Sequence, residues 1–338
     1  MSKKSSLMAS FKAKTIHRDI SPPPPSPPIH QVFILLLYIR PHAGRNRGIR
    51  VIPEFDTPGH VNSWGWAFPS ILANCSKAAS QILDVSNNET YSVLWKVLRQ
   101  AAIDFPDQFC HLGGDEVDYN CWKNDPAVSK WMKEKGLKNG KEVQFYHTRR
   151  MLILAKIVGK QGMLWQEAAD EKYIRMLPKE TVVQVWKWDP DLDQNSAGLQ
   201  TGLATDEYWL SELSRISKTH RTVLSAPWYL NLAAGGDQNA WRKFWEVDPL
   251  RFDGSADQRR NVIGGEACLW GEMVDETNAL QKTWPLAATV AERLWSIEND
   301  WNSNDTLERL EAFRCRLVFQ GIDASPLRPG YCHPYYQP

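Results

Sequence analysis

The chain has 338 residues, 43% of them hydrophobic, and its 40 basic and 39 acidic residues leave a formal charge of +1. A chain of this size can bury a large core, so we expect a soluble globular protein. The balanced charge argues against a nucleic-acid or anionic-membrane partner, because it leaves no electrostatic footprint for either. Sixteen tryptophans are an unusual number, and large aromatic rings suit the faces of sugars as well as protein cores.

The first 47 residues differ in composition from the rest of the chain. They contain a polyproline tract, SPPPPSPP at 21–28, and an apolar run, VFILLLYI at 32–39. The apolar run is too short to span a bilayer, and it lies behind the proline tract without a clear signal-peptide cleavage site. We therefore predict a disordered or foreign proline-rich leader at 1–47, no membrane span, and one domain at 48–338.

From residue 48 onward, short apolar runs alternate with stretches of helical spacing. Continuous apolar strands joined by helices are typical of a parallel sheet covered on both faces, and the length favours an α/β fold of the TIM (β/α)8 type. A doubly wound open sheet is the alternative, but no glycine-rich phosphate loop opens a helix. The predicted strands cover 48–56, 108–116, 161–167, 181–189, 222–231 and 261–272.

Polar and aromatic residues stand at the ends of these strands, where the functional site of a barrel forms. We expect the following side chains to line one site: Asp56, His60, Asp115, Glu116, Trp165, Trp186, Tyr229, Asn231, Trp270 and Glu272.

The segment HLGGDEV at 111–117 places two carboxylates side by side, Asp115 and Glu116. Gly113 and Gly114 permit the irregular backbone through which two neighbouring side chains can reach one ligand. Two carboxyl groups crowded in a partly apolar pocket should titrate apart, which gives a protonated acid and an ionised partner near neutral pH. A helix N-terminus decorated with acidic residues is the other interpretation.

A glycosidase with two ordinary carboxylate roles needs its carboxyl groups about 5 to 9.5 Å apart, on either side of the scissile bond. Neighbouring residues do not easily straddle a sugar ring. A reaction with one protein acid and a nucleophile from the substrate, such as a 2-acetamido group, fits Asp115 and Glu116 better. The second carboxylate would then hold that nucleophile.

Four segments together resemble the family 20 glycoside hydrolases, the β-N-acetylhexosaminidases, and especially the animal lysosomal type: PEFDTPGH at 53–60, HLGGDEV, APWYL at 226–230 and GGEACLWGE at 264–272. The resemblance implies exo-hydrolysis of terminal β-linked GlcNAc or GalNAc by substrate-assisted retaining catalysis, without a metal or an organic cofactor. The implied substrates are glycoproteins, glycolipids and chitooligosaccharides or other oligosaccharides. The implied location is lysosomal or secreted, and the implied assembly is a homodimer or a heterodimer with a homologous subunit.

The resemblance also implies a role for each site residue. Glu116 is the general acid/base, and Asp115 orients the acetamido group and stabilises the oxazolinium-like intermediate. Tyr229 donates a hydrogen bond to the acetamido oxygen, and His60, with Asp56 behind it, supports the acid. The remaining residues bind the sugar. Trp165, Trp186 and Trp270 wall the pocket, and Glu272 and Asn231 bind hydroxyl groups of the terminal sugar.

The six cysteines could be metal ligands, reduced core thiols or disulfides. No CxxC pair is present, which argues against zinc. We predict disulfides between Cys75 and Cys121 and between Cys315 and Cys332, with Cys110 and Cys268 free. Disulfides suit an oxidising compartment, and so do three N-glycosylation sequons, which begin at Asn74, Asn88 and Asn304.

Two departures from the family pattern change the expectations. Leu232 stands where a cation would anchor an anionic substrate, so we expect neutral sugar ends to be preferred. The segment before residue 48 lacks the family's first two strands and accessory α/β domain, so we expect an incomplete barrel with unpaired edges at 48–55 and near Ala267. An inactive remnant that only binds sugar or a partner subunit is the alternative hypothesis.

Overall fold

The computed structural model describes residues 8–11, 41–75, 81–170, 172–187, 206–233, 239–296 and 303–332. These residues form two compact units. The amino-terminal unit comprises the described residues within Asp19–Gln184 and Thr219–Arg221, and the carboxy-terminal unit comprises those within Met1–Arg18, Val185–Lys218 and Thr222–Pro338. None of the described helices combines the length and apolar composition that a membrane crossing requires.

The amino-terminal unit is built on three parallel strands, β2 (Phe109–His111), β3 (Gln161–Trp165) and β4 (Val182–Val185). The last residue of β4, Val185, is counted with the carboxy-terminal unit. Strand β3 pairs with both others, with Phe109 opposite Gln161 and Met163 opposite Val182. Almost every residue of these strands is buried. Such unbroken burial is expected for a parallel sheet covered on both faces.

Six helices accompany these strands: α1 (described over 41–45), α2 (Asn62–Ala67), α3 (Asn88–Asp104), α4 (Tyr119–Asn124), α5 (Pro126–Lys135) and α6 (Gly140–Ile157). Helices α3 and α6 begin at asparagines, since the side chains of Asn87 and Asn139 accept hydrogen bonds from the backbone N–H groups of Glu89 and Glu142. The buried face of α6 includes three polar residues, Gln144, His147 and Thr148. Short 3-10 turns lie at Pro69–Ile71, Gln166–Ala169 and Ile174–Met176.

In the carboxy-terminal unit, β6 (Val262–Leu269) pairs in parallel with β1 (Met8–Phe11) and with β5 (Arg221–Leu224). The first residue of β5, Arg221, is counted with the amino-terminal unit. Trp241, Trp245, Leu310 and Leu327 form a buried cluster between its helices. Those helices are α7 (Asp206–Ser217), α8 (Ala240–Trp245), α9 (Ala256–Asn261), α10 (Ala279–Thr283), α11 (Leu286–Trp295) and α12 (Ser303–Phe319).

The parallel strands and the helices between them are the α/β architecture that the sequence predicts, a partial TIM barrel. Five of the six predicted strands are present, in shortened form, as β2 to β6.

The predicted strand at 48–56 is wrong in its extent, because it is reduced to one isolated parallel bridge between Glu54 and His111. His111 donates its N–H to the carbonyl of Pro53 at 2.9 Å and accepts from the N–H of Phe55 at 3.0 Å. The ladder cannot continue toward the N-terminus, since Pro53 has no N–H to donate.

The predicted leader is only partly described. Residues 1–7 and 12–40 lie outside the described residues, while 8–11 form β1. The expectation of an unpaired edge near Ala267 is wrong, because β1 pairs with Glu266, Ala267, Cys268 and Leu269. Disorder of the leader as a whole stays a prediction.

Candidate active site

The backbone after β2 turns through two glycines before it reaches the paired carboxylates. Gly113 has a φ of 71° and Gly114 a φ of 107°, conformations that side chains other than glycine rarely adopt. A Cβ atom on Gly113 would overlap the carboxylate of Asp56. The turn leaves Asp115 buried and Glu116 exposed. Close approach to Asp56 therefore requires glycine at position 113.

Asp56 and His60 lie beside this turn, on the segment that follows the Glu54 bridge. Oδ1 of Asp56 accepts a hydrogen bond from the N–H of Gly114 at 3.1 Å. Nε2 of His60 lies 3.1 Å from Oε2 of Glu116, 3.5 Å from Oδ2 of Asp115 and 4.0 Å from Oδ2 of Asp56. The structure thus places one imidazole among three of the four carboxylates that the sequence predicts for the site.

Both His60 and Glu116 have left-handed backbone, with φ values of 55° and 51°. This conformation is strained for residues with a Cβ atom, and such strain is found chiefly at functional sites. The two strained residues are also the closest pair in the cluster. Their backbone geometry supports a functional rather than a merely structural cluster.

The His60 ring is protonated at neutral pH. Burial lowers the pKa of His60, but hydrogen bonds to Asp115 and Glu116 and the charges of Asp115 and Asp56 outweigh burial and raise it from 6.5 to about 10. Atoms of Asp56, His60 and Asp115 lie within 4.8 Å of one another, close enough to surround a cation. At these distances the protonated His60 ring forms ion pairs with the Asp56 and Asp115 carboxylates.

A second layer of polar contacts lies behind this cluster. Glu54 accepts a hydrogen bond from Nε1 of Trp165 at 2.9 Å and lies 3.5 Å from Nδ1 of His111. The His111 ring lies against Trp165, with ring centroids 4.7 Å apart, and its Nδ1 accepts from the N–H of Gly113 at 3.2 Å. Trp165, predicted as a pocket wall, is thereby held in one orientation.

The carboxy-terminal unit contains the other predicted site residues. Tyr229 and Trp270 lie near each other, with ring centroids 6.4 Å apart, and a parallel bridge joins Tyr229 to Cys268 at the end of β6. Asn231 is buried and Glu272 is exposed. Trp186 is buried directly after β4, with the ammonium of Lys187 5.7 Å from its ring centroid. Trp186 therefore follows β4, Tyr229 and Asn231 follow β5, and Trp270 and Glu272 follow β6.

Both predicted disulfides are present, Cys75–Cys121 and Cys315–Cys332, with Cα–Cα distances of 5.1 and 5.2 Å. Cys110 and Cys268 are buried and take no part in either disulfide, as predicted. Of the sequon asparagines, Asn74 and Asn88 are exposed, as an acceptor of a glycan must be, and Asn304 lies in the first turn of α12.

Sequence reasoning missed the residues that hold the site from behind. Glu54 lies within a predicted strand, and His111 and His147 give no signal as single residues, because a lone histidine is common on a buried face. The one available clue was the spacing of polar Gln144 and His147 on the apolar face of α6.

Asp and Glu carboxyl groups are the acid/base groups of glycoside hydrolases, and one of each stands at this turn. A family model described as "Glycosyl hydrolase family 20, catalytic domain" matches residues 41–298. The chain belongs to glycosyl hydrolase family 20.

Named relatives and solved structures agree with this assignment. The chain is 40% identical over 300 residues to beta-hexosaminidase subunit beta of Felis catus, covering 87% of this chain and 52% of that protein. It is 39% identical over 299 residues to beta-hexosaminidase subunit alpha of Mus musculus, covering 87% and 53%. The chain thus spans about half the length of the curated relatives it matches.

Among solved structures, a chitobiase of Flavobacterium johnsoniae matches with a TM-score of 0.71 and 29% identity, over 85% of this chain and 42% of that one. An exo-β-N-acetylglucosaminidase of Vibrio harveyi matches with a TM-score of 0.71 and 22% identity, over 87% of this chain and 46% of that one. At this identity the match shows a similar fold and no more.

Proposed function

We propose that this protein is an exo-acting β-N-acetylhexosaminidase that removes terminal β-linked GlcNAc or GalNAc by substrate-assisted catalysis. The observation that carries the proposal is the placement of the His60 ring within 3.5 Å of both Asp115 and Glu116. Membership of family 20 and the names of its hexosaminidase relatives point to the same reaction. The substrates would be glycoproteins, glycolipids and oligosaccharides.

Glu116 is the general acid in this proposal. Its carboxyl group protonates the glycosidic oxygen as the bond between that oxygen and the anomeric carbon breaks. The carboxylate that remains is stabilised by the adjacent His60 imidazolium, whose Nε2 lies 3.1 Å away. Because the acid becomes charged during the reaction, His60 stabilises the transition state more than the ground state.

The second carboxylate acts on the substrate's own nucleophile. Asp115 is buried and faces the His60 cation, so it can remain ionised and accept the N–H of the 2-acetamido group. The acetamido carbonyl oxygen then attacks the anomeric carbon and forms an oxazolinium-like intermediate. Glu116 takes a proton from the water that opens this intermediate, and the product keeps the β configuration.

The remaining predicted residues bind the sugar. In this proposal Tyr229 donates a hydrogen bond to the acetamido oxygen, Trp165, Trp186 and Trp270 contact the sugar, and Asn231 and Glu272 bind hydroxyl groups. Asp56 holds the turn at Gly114 and faces His60. Exposed Leu232 offers no charge to an anionic substrate, so neutral sugar ends are preferred.

The proposal includes a location and an assembly. Two disulfides and the exposed sequon asparagines Asn74 and Asn88 suit a lysosomal or secreted protein. The matched relatives include proteins named as alpha and beta subunits. A homodimer, or a heterodimer with a homologous subunit, is therefore the assembly that we propose.

Release of the alcohol from an N-acetyl-β-glucosaminide with a poor leaving group tests the function. Glu116→Gln should abolish most of the turnover, while Glu134→Gln, on the exposed face of α5, should leave it intact. Binding of N-acetylglucosamine without any turnover would support the alternative, an inactive sugar-binding protein.

A further inference from the structure

We propose that His147 is a positioning residue, which joins Tyr91 on α3 to Thr57 and thereby fixes the segment that carries Asp56 and His60. The inference rests on the proposed function only where catalysis is measured. His147 is separated from Thr57 by 90 residues and from Tyr91 by 56, so the contact exists only in the folded chain.

A chain of hydrogen bonds passes through the His147 ring. Nε2 lies 3.0 Å from Oγ1 of Thr57, and Nδ1 lies 3.3 Å from the hydroxyl of Tyr91. Oγ1 of Thr57 donates to the carbonyl of Leu112 at 3.4 Å. Since the single hydroxyl proton of Thr57 is used there, Thr57 must accept from Nε2–H, and Nδ1 must accept from Tyr91. The contacts therefore define one tautomer.

The burial and charge of these groups agree with a neutral ring. His147, Thr57 and Tyr91 are each exposed by 4% or less. Burial, and then the charge of Arg150, lower the pKa of His147 to about 3. The Arg150 guanidinium lies over the Tyr91 ring, 3.4 Å from its centroid. His147 thus keeps one donor and one acceptor nitrogen over the whole physiological range of pH.

Helix α6 contacts both segments that carry the proposed catalytic residues: the segment with Asp56 and His60 and the turn before Asp115 and Glu116. His147 holds Thr57, whose N–H and hydroxyl both meet the carbonyl of Leu112. One turn earlier on the same face, Nε2 of Gln144 donates to the carbonyl of Gly114 at 2.6 Å. The separation between Nε2 of His60 and Oε2 of Glu116 depends on these two segments. Loss of the His147 contact should therefore displace His60 without removing any group that touches substrate.

Substitutions at Thr57 provide the sharpest kinetic test, because valine has the shape of threonine without the hydroxyl. Thr57→Val should lower kcat about tenfold and change KM by less than about twofold. Thr57→Ser retains the hydroxyl group and should keep kcat close to the wild-type value. His147→Gln, which retains a donor and an acceptor, should be milder than His147→Leu. His220→Gln is the matched control, since His220 also bonds on both sides, to Thr219 and the carbonyl of Pro178, at the start of β5.

Nuclear magnetic resonance of the histidine rings gives a readout that does not need turnover. We expect the His147 ring to be the Nε2–H tautomer and not to titrate between about pH 5 and about pH 9. In Thr57→Val, the titration midpoint of His60, which faces Asp56, Asp115 and Glu116, should move by about half a unit or more.

These readouts separate the two proposals. A wild-type protein without hexosaminidase activity would defeat the proposed function, and the His60 titration would still decide the role of His147. An Nδ1–H tautomer, or an unchanged His60 midpoint in Thr57→Val and His147→Gln, would overturn the inference. So would wild-type kcat in both variants of an active protein.

Discussion

Nε2 of His60 lies 3.1 Å from Oε2 of Glu116, and each residue reaches this position through left-handed backbone. The turn at Gly113 and Gly114 precedes Glu116, and a hydrogen bond from the N–H of Gly114 to Asp56 joins this turn to the segment that carries His60. A cation is therefore held beside a carboxyl group at a fixed distance. This arrangement suits an acid that must release its proton to a leaving group and take another from water.

Replacement of the acid should affect substrates unequally. Glu116→Gln should lower the turnover of substrates with poor leaving groups by about 10² to 10⁴-fold, because protonation of the departing oxygen is lost. An activated aryl leaving group needs less protonation, so it should lose less. Steady-state rates on a series of aryl glycosides give the comparison. Equal losses across the series would contradict the role of Glu116.

The His60 ion pairs should make stability depend on pH with a definite sign. The pKa of His60 is raised from 6.5 to about 10 by folding, so its contribution is fully present below about pH 6.5 and lost as the pH rises toward 10. Between these values the free energy of unfolding should fall by up to about 1.4 kcal/mol per pH unit through this group.

Urea unfolding of the wild type and of His60→Gln over this pH range measures that slope. The variant should be less stable than the wild type near pH 6, and the two curves should converge toward pH 10. Parallel curves would mean that the ring titrates alike in the folded and unfolded chains.

A methyl group on Gly113 should disable the site. Gly113→Ala adds an overlap with the Asp56 carboxylate to the strain of a φ of 71°, and should cost about 3 kcal/mol or more along with most of the activity. Gly136→Ala is a matched control, because Gly136 has a φ of 68° and open space around its Cβ position. It should cost only about 1 kcal/mol. Similar losses in urea unfolding for both variants would show that the overlap is relieved.

The two disulfides should differ in their contribution to stability. Cys75 and Cys121 are 46 residues apart and Cys315 and Cys332 are 17 apart. By loop-closure entropy, replacing the first pair with alanine should cost about 4 kcal/mol and the second about 3 kcal/mol. The first pair also lies against the buried cluster around Trp122 and Val143. A larger loss in the free energy of unfolding when Cys315 and Cys332 are replaced would contradict this account. So would non-reducing peptide mapping that finds Cys110 or Cys268 in a disulfide.

The sequence predicts those parts of the site that are local along the chain. HLGGDEV specifies a strand, a glycine turn and two carboxylates, because each feature depends on neighbouring residues. Asp56 and His60 lie four positions apart in a single segment, and the structure places both beside Asp115. The alternation of strands and helices is likewise a local pattern, which is why the α/β fold was predictable.

The remaining features depend on contacts that no local pattern encodes. Pro53 ends the ladder beside His111, which a hydrophobic run at 48–56 does not reveal. The contacts of His147 with Thr57 and Tyr91 join three distant segments through neutral groups. The pairing of β1 with β6 also brings together two segments that are far apart along the chain. Each of these features required the fold.

The most direct test of the central claim is the dependence of turnover on the substrate's acetamido group. Aryl glycosides with zero to three fluorine atoms on the acetyl methyl present a progressively weaker carbonyl nucleophile to the anomeric carbon. Substrate assistance predicts that kcat/KM falls at each step, by about tenfold or more across the series, with retention of the β configuration. A flat series, or a product of inverted configuration, would contradict the account.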